Sequence, residues 1–121
     1  MSVAAWAGIA LAGGLGAVAR LLLDAAVSGR AGGSFPWGTL AVNLTGTFAL
    51  GVIAGAALGG DWRAVAATGL LGSFTTFSTW MLESQRLGED GERRLMWANL
   101  AGSLILGLIA VELGRLIGQA L

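Results

Sequence analysis

Four apolar runs divide the chain: roughly Val3 to Leu23, Thr39 to Leu58, Ala64 to Leu82 and Leu95 to Leu113. Each approaches the ~20 residues that a helix needs to cross a hydrocarbon layer. Backbone N–H and C=O groups find no water there, so runs of this length read as helices that satisfy their own hydrogen bonds. The first run has no basic segment before it and three further runs follow, which marks a permanent helix and not a cleaved signal. The reading is a single all-α integral membrane domain over residues 1–121 with four transmembrane helices. With 55% hydrophobic and 12% charged residues, a soluble domain of 121 residues would be unusually apolar.

Residue supply excludes several function classes. Formal net charge is zero, with no Lys and no His, so nothing suggests a nucleic-acid surface. Without Cys or His there is no thiol chemistry, no Cys/His zinc site and no Ser-His-Asp catalysis. The chain does not read as an enzyme. Gly14, Gly16 and Ala19 match a dinucleotide-binding pattern, but the flank is Ala-rich and helical where that pattern needs a preceding strand. Together with Gly8 and Gly13 these small residues read as a close-packing helix face. Arg20 sits at the end of that run and reads as an interfacial anchor.

The third run is locally odd. Gly72 to Glu83 reads GSFTTFSTWMLE, so a stretch expected in the membrane fills with hydroxyls and aromatics. On one helix, Ser73, Phe77, Trp80 and Ser84 fall near one stripe, and Gly72, Thr76, Thr79 and Glu83 on the adjacent one. Thr75 and Ser78 project elsewhere. Polarity nearly all round suits a helix surrounded by protein, or one interrupted near Gly72 to Thr76. Asn43 is a second oddity: its amide reads either as glue between helices or as a donor to an anion. Asn99 and Ser103, four apart, read as hydrogen-bonders between helices. The Gly-rich stretch Ser28 to Gly38, with Pro36, reads as a turn with Thr39 as N-cap. Most of the charged stretch Glu83 to Arg94 reads as a solvated loop, with Glu83 capping the polar ridge.

Four short helices leave no lumen of their own, so a pathway has to lie between subunits. Neutral hydrogen-bond donors and aromatic ring edges suit a small anion; a cation pore would use rings of Asp or Glu. With the span-end Arg20 and Arg115 set aside, four arginines flank one side and one the other, a modest bias toward cytoplasmic first and third loops that leaves insertion in both directions open.

The residues Gly13 to Arg20 (GGLGAVAR), Pro36 to Gly46 (PWGTLAVNLTG), Thr68 to Thr79 (TGLLGSFTTFST), Glu83 and Gly102-Ser103 occur in order at four-helix spacing. On these, the sequence resembles the Fluc/CrcB family of bacterial fluoride channels over essentially its whole length. The resemblance implies a passive fluoride-selective channel in the bacterial cell (inner) membrane that lets fluoride leave the cytoplasm. It implies a dual-topology antiparallel homodimer with two pores, an interrupted third helix and a central structural sodium ion. By the match of motifs, Asn43, Phe77 and Trp80 would line the pore, with Ser78, Thr79 and Ser103 on a polar track. The carbonyls of Gly72 and Thr75 would meet sodium, and Arg20 and Glu83 would stand at the vestibule. Trp80 replaces the phenylalanine usual in the family and brings an indole N–H that can itself donate, and Gly107 stands where some relatives carry a hydroxyl. These departures keep a heterodimer with a related subunit as an alternative. A transporter of the small multidrug-resistance kind is a rival, but the acid that class needs in its first helix is missing, since the first acid is Asp24. A non-conducting structural subunit would explain the small residues but not the hydroxyls and aromatics beside Asn43.

Overall fold

The computed structural model describes residues 1–57 and 59–121. The expected end of the second run, Leu58, lies outside the described residues. Helix α1 spans Val3–Ala31, α2 Trp37–Gly55 and α6 Arg93–Gln119. Among the described residues these three are long and apolar enough to cross a membrane. The third apolar run is not one helix. It is built from a short α3 (Asp61–Arg63), a π-helix (Ala64–Leu71) and a single turn α4 (Gly72–Phe74), and after a break α5 follows (Ser78–Glu89).

Local chemistry sets the ends of these elements. Ser2 caps α1, its hydroxyl accepting from the Ala5 N–H at 3.1 Å. Gly32, at φ +65°, ends that helix in a conformation other residues avoid. Helix α1 therefore continues past Leu23 to Ala31 and takes in the first residues of the stretch Ser28 to Gly38 expected as a turn. At 1.5 Å per residue it reaches about 43 Å, so its Asp24–Arg30 end stands clear of a ~30 Å hydrocarbon layer. Pro36 precedes α2, which leaves Thr39 inside the first turn and not at the N-cap. The charged stretch is largely helical, contrary to the loop reading: α5 runs through Glu89, with Gln85 donating to Glu89 at 3.2 Å, and only Asp90–Glu92 separate it from α6. Alternating side-chain pairs along a helix carry these charges as well as a loop would.

Packing relies on glycine. Helix α2 makes its most extensive contact with α6, and α1 with the π-helix. A Cβ at Gly51 would run into the Val111 carbonyl, one at Gly55 into that of Arg115, one at Gly114 into that of Phe48 and one at Gly118 into that of Val52. Two small-xxx-small pairs thus face each other and let the α2 and α6 backbones touch. In α1, Gly16 lies against Leu70 and Ser73 and Gly8 against Val65, but Gly14 faces open space, so only part of the expected face is used. Ser2 donates to Asp61 at 3.3 Å, which places the N-terminus beside the second loop.

The outside of the molecule is its apolar part. Leu11, Leu15, Val18, Leu21 and Leu22 on α1 and Leu104, Ile105, Leu108 and Ile109 on α6 are exposed. Among the described residues the buried apolar side chains are few: Ala5, Leu40, Val42, Phe74 and Leu87. Such an exterior faces lipid or another subunit. Exposed Trp6 and Trp62 lie at the end that holds the N-terminus, and exposed Trp37 and Trp97 at the opposite end, as interfacial belts do. Leu15→Asp, near the middle of α1, is accordingly expected to cut membrane-inserted protein severalfold, since a charge at a span centre costs about 3 kcal/mol of insertion free energy. Quantitative blotting of membrane fractions checks it, and Leu15→Phe is the control that leaves the yield unchanged.

Candidate functional site

The break between α4 and α5 organises the site. Thr75 turns extended, at φ −79° and ψ 157°, and the helix resumes at Ser78. The non-helical residues are Thr75 to Phe77, slightly later than the expected Gly72 to Thr76, because Gly72–Phe74 still complete a turn. Asn43 on α2 closes the gap. Its Nδ2 donates to the Thr76 carbonyl and its Oδ1 accepts from the Thr76 N–H, both at 2.8 Å. One side-chain amide thereby does for Thr76 what a neighbouring backbone strand would do. The structural reading of Asn43 holds, and its second amide hydrogen still has no partner among these contacts.

The break has a consequence for two carbonyls. In an unbroken helix the Thr76 N–H would serve Gly72 and the Thr79 N–H would serve Thr75. Here Thr76 donates to Asn43, and Thr79 donates to the Thr76 hydroxyl at 3.2 Å. The carbonyls of Gly72 and Thr75 have lost their helical donors and are the acceptors a bound cation would find. Their chemistry fits sodium, a hard ion that takes oxygen ligands.

Asn43, Thr47, Thr75, Thr76, Phe77, Trp80 and Ser103 line a groove of about 430 Å³ with Gly72 and apolar side chains of α2 and α6. No charged side chain lines it among the described residues. Phe77 and Trp80 meet edge to face, with ring centroids 5.6 Å apart and planes at 80°, and Phe77 remains 69% exposed. The Trp80 indole does not offer its N–H to the groove: Nε1 donates to the Asn99 carbonyl at 3.0 Å, so the ring presents C–H edge.

The other expected site residues lie elsewhere. Thr79 and Arg20 share a smaller cavity of about 160 Å³ with Asp24, Thr39 and Thr76. Thr76 borders both cavities and is the wall between them. Glu83 lines a third cavity, under the first loop, with Arg86 and Pro36. It does not cap a continuous ridge with Thr76, because the break takes Thr76 out of the helix. Ser78 is exposed and lines none of the three. Ser73 leaves the expected Phe77 stripe: its hydroxyl bonds the Gly69 and Leu70 carbonyls at 2.8 and 3.0 Å and sits against Gly16 of α1.

Sequence reasoning missed Ser84 and the depth of Asn99. Asn99 is only 1% exposed, donates to Ser84 at 2.8 Å and accepts from Ser103 at 3.2 Å. Asn99 bonds between helices, to Ser84 through its side chain and to Trp80 through its carbonyl, whereas Ser103 bonds within its own helix. The four-residue spacing of Asn99 and Ser103 is one signal and the shared stripe of Trp80 and Ser84 another, but that the two pairs bond to each other across α5 and α6 is not legible from spacing.

An apolar-surfaced bundle carrying a neutral, donor-bearing groove at a broken helix defines a multi-pass membrane protein of the transport class. The family model described as "CrcB-like protein, Camphor Resistance (CrcB)" matches residues 7–115, and the chain belongs to the CrcB family. It is 50% identical over 119 residues to a protein of Mycobacterium tuberculosis (strain ATCC 25618 / H37Rv) named fluoride-specific ion channel FluC 2, covering 98% of this chain and 94% of that one. It is 46% identical over 119 residues to fluoride-specific ion channel FluC 1 of Symbiobacterium thermophilum, covering 93% and 96%. A FluC of Opitutus terrae is 42% identical over 115 residues, covering 89% and 87%. All three are named as ion channels and not as enzymes.

Proposed function

We propose that this chain is a passive fluoride-selective channel of the bacterial cell membrane that lets fluoride leave the cytoplasm. The observation that carries the reading is the uncharged groove at the Thr75–Phe77 break, where neutral donors and ring edges converge and acids are missing. Fluoride is small and holds water tightly, so it passes only where many weak donors replace that water in turn. The spare Asn43 N–H, the Phe77 and Trp80 edges and the Ser103 hydroxyl supply such a series. Arg20, in the cavity beyond Thr76, draws anions toward one mouth; Thr79 continues the polar lining there, and the exposed Ser78 would join it from a second subunit.

The groove is open along one side and Phe77 is exposed, which supports closure by a second copy of the chain. Four membrane crossings, with the broken third run counted as one, and a dual-topology antiparallel dimer would give two pores at the interface. In that dimer the Gly72 and Thr75 carbonyls of both copies would hold the structural sodium, which supplies a positive charge that fixes the two breaks together. Replacing sodium by N-methylglucamine throughout purification is expected to lower the melting temperature of the dimer and its fluoride flux together, read by thermal-shift and efflux assays; no change in either would remove sodium from the proposal.

The test of function is fluoride efflux from liposomes that contain only this purified protein, with an ionophore clearing the membrane potential and chloride-loaded vesicles in parallel. Release of fluoride without chloride is the expected outcome. A folded protein that releases neither fails as a homodimeric channel; recovery of flux on adding a related subunit would then establish the heterodimer.

A further inference from the structure

We propose that Asn99, which does not line the groove, is a positioning residue that holds the Ser103 hydroxyl proton in reserve and so sets how readily an anion is taken up and released there. The proposal rests on the channel reading above. It begins with four linked hydrogen bonds, two of them crossing between α5 and α6 and one within each helix. The Ser84 hydroxyl donates to the Trp80 carbonyl at 2.8 Å, Asn99 Nδ2 donates to Ser84 Oγ at 2.8 Å, Ser103 Oγ donates to Asn99 Oδ1 at 3.2 Å, and Trp80 Nε1 donates to the Asn99 carbonyl at 3.0 Å.

The directions follow from counting protons. A serine hydroxyl has one hydrogen to give. Ser84 spends its hydrogen on the Trp80 carbonyl, so toward Asn99 it can only accept. The amide nitrogen of Asn99 must therefore face Ser84, and its oxygen must face Ser103. Ser103, the member of this chain on α6 that lines the groove, then has to donate to Asn99. Without an anion, its single proton points away from the pathway.

That arrangement makes a competition. An anion reaching Ser103 has to take the hydroxyl proton from a neutral amide oxygen, and the bond it displaces is the longest of the four. A compact anion such as fluoride forms a charge-assisted bond roughly twice as strong as the neutral one and wins. A larger anion with diffuse charge competes less well. When the anion leaves, Asn99 Oδ1 takes the proton back, so departure leaves no hydroxyl unsatisfied. Burial of Asn99 keeps water from occupying its Oδ1, so the acceptor stays available to Ser103.

Removing the competitor has a signed effect. In Asn99→Ala the Ser103 proton loses its amide acceptor and is left with the residue-99 backbone carbonyl, which already accepts from Trp80 Nε1, so fluoride is held more tightly and released more slowly. The half-saturating fluoride for efflux is expected to fall about fivefold, the fold-change carried by one neutral hydrogen bond, and maximal flux is expected to fall with it. Ser84→Ala is the milder variant: the Asn99 amide becomes free to turn over and present Nδ2 to Ser103, with a shift in the same direction. It serves if Asn99→Ala does not assemble.

The experiment measures initial efflux from liposomes across a range of internal fluoride for the wild type, Asn99→Ala, Ser84→Ala, Ser103→Ala and the Asn99→Ala/Ser103→Ala double variant. The expected result is a lower half-saturation in Asn99→Ala and Ser84→Ala, and none of that shift once Ser103 is also alanine. A residue that merely held α5 to α6 would lower maximal flux in both backgrounds and leave half-saturation where it was; that result overturns the proposal. A wild type that releases no fluoride overturns the channel reading, and this inference with it.

Discussion

Asn43→Asp is expected to reduce fluoride efflux by at least two orders of magnitude. The substitution keeps the shape of the side chain and the oxygen that accepts from the Thr76 N–H, but it replaces Nδ2 by a second oxygen set against the Thr76 carbonyl. Two effects then act in the same direction. The carbonyl loses its donor, which costs about 1–3 kcal/mol for a buried group left unmade. The groove also gains a negative charge, and at ~4 Å a second anion meets a repulsion of roughly 4 kcal/mol at an effective dielectric constant near 20. The repulsion alone exceeds the ~2.7 kcal/mol that separates hundredfold rates, and the lost donor adds to it. Efflux from liposomes, scored beside size-exclusion chromatography of the same sample, checks it. Protonation of the new carboxyl restores a donor and removes the charge, so flux should return as pH falls. A folded Asn43→Asp protein with unchanged flux at neutral pH would show that the groove is not the pathway.

Gly114→Leu is expected to destroy the fold, and Gly107→Leu on the same helix is not. The two glycines lie two turns apart and look equivalent in sequence. A Cβ at Gly114 would run into the Phe48 carbonyl and crowd the Val52 N–H of α2, neither of which can move without the helix moving. Nothing lies within 4 Å of the Cβ position at Gly107. Overpacking of this kind commonly costs about 1–3 kcal/mol, and backbone-on-backbone crowding lies at the upper end because no rotamer relieves it. Marginal stability makes such a loss large. Melting temperature and monodispersity in detergent distinguish the two variants: Gly114→Leu should aggregate or fail to accumulate, while Gly107→Leu should run as the wild type does. Since Gly107 lines the groove, that second variant should also narrow the pathway and lower flux without loss of fold.

The α2–α6 contact shows why part of the fold was hard to see. Gly51, Gly55, Gly114 and Gly118 stand in two runs rich in small residues, and many other glycines carry the same local signature. Which glycine meets a backbone depends on where two helices 60 residues apart in the chain cross. Gly14 and Gly16 make the point on one helix: two residues apart, one faces open space and the other a carbonyl. The site divides in the same way. The hydroxyl-rich Gly72 to Thr79 segment and the lone Asn43 stood out because polar groups in an apolar run demand partners, and both proved to belong to one feature. Reading that segment as one continuous helical wheel misplaced Ser73 and joined Glu83 to Thr76, since the wheel stops at the break.

What the sequence by itself determined is the membrane class, the apolar runs, the family and the residues that do not belong in lipid. These follow from composition and spacing along the chain, which lipid reads directly because it satisfies no backbone group. Only the tertiary structure decided that the Asn43 amide substitutes for a missing helical turn, that the Gly72 and Thr75 carbonyls are thereby freed, and that the Trp80 N–H is spent on Asn99. Each is a matter of which donor finds which acceptor across helices, and residue type fixes how many hydrogen bonds a group can make but not with whom.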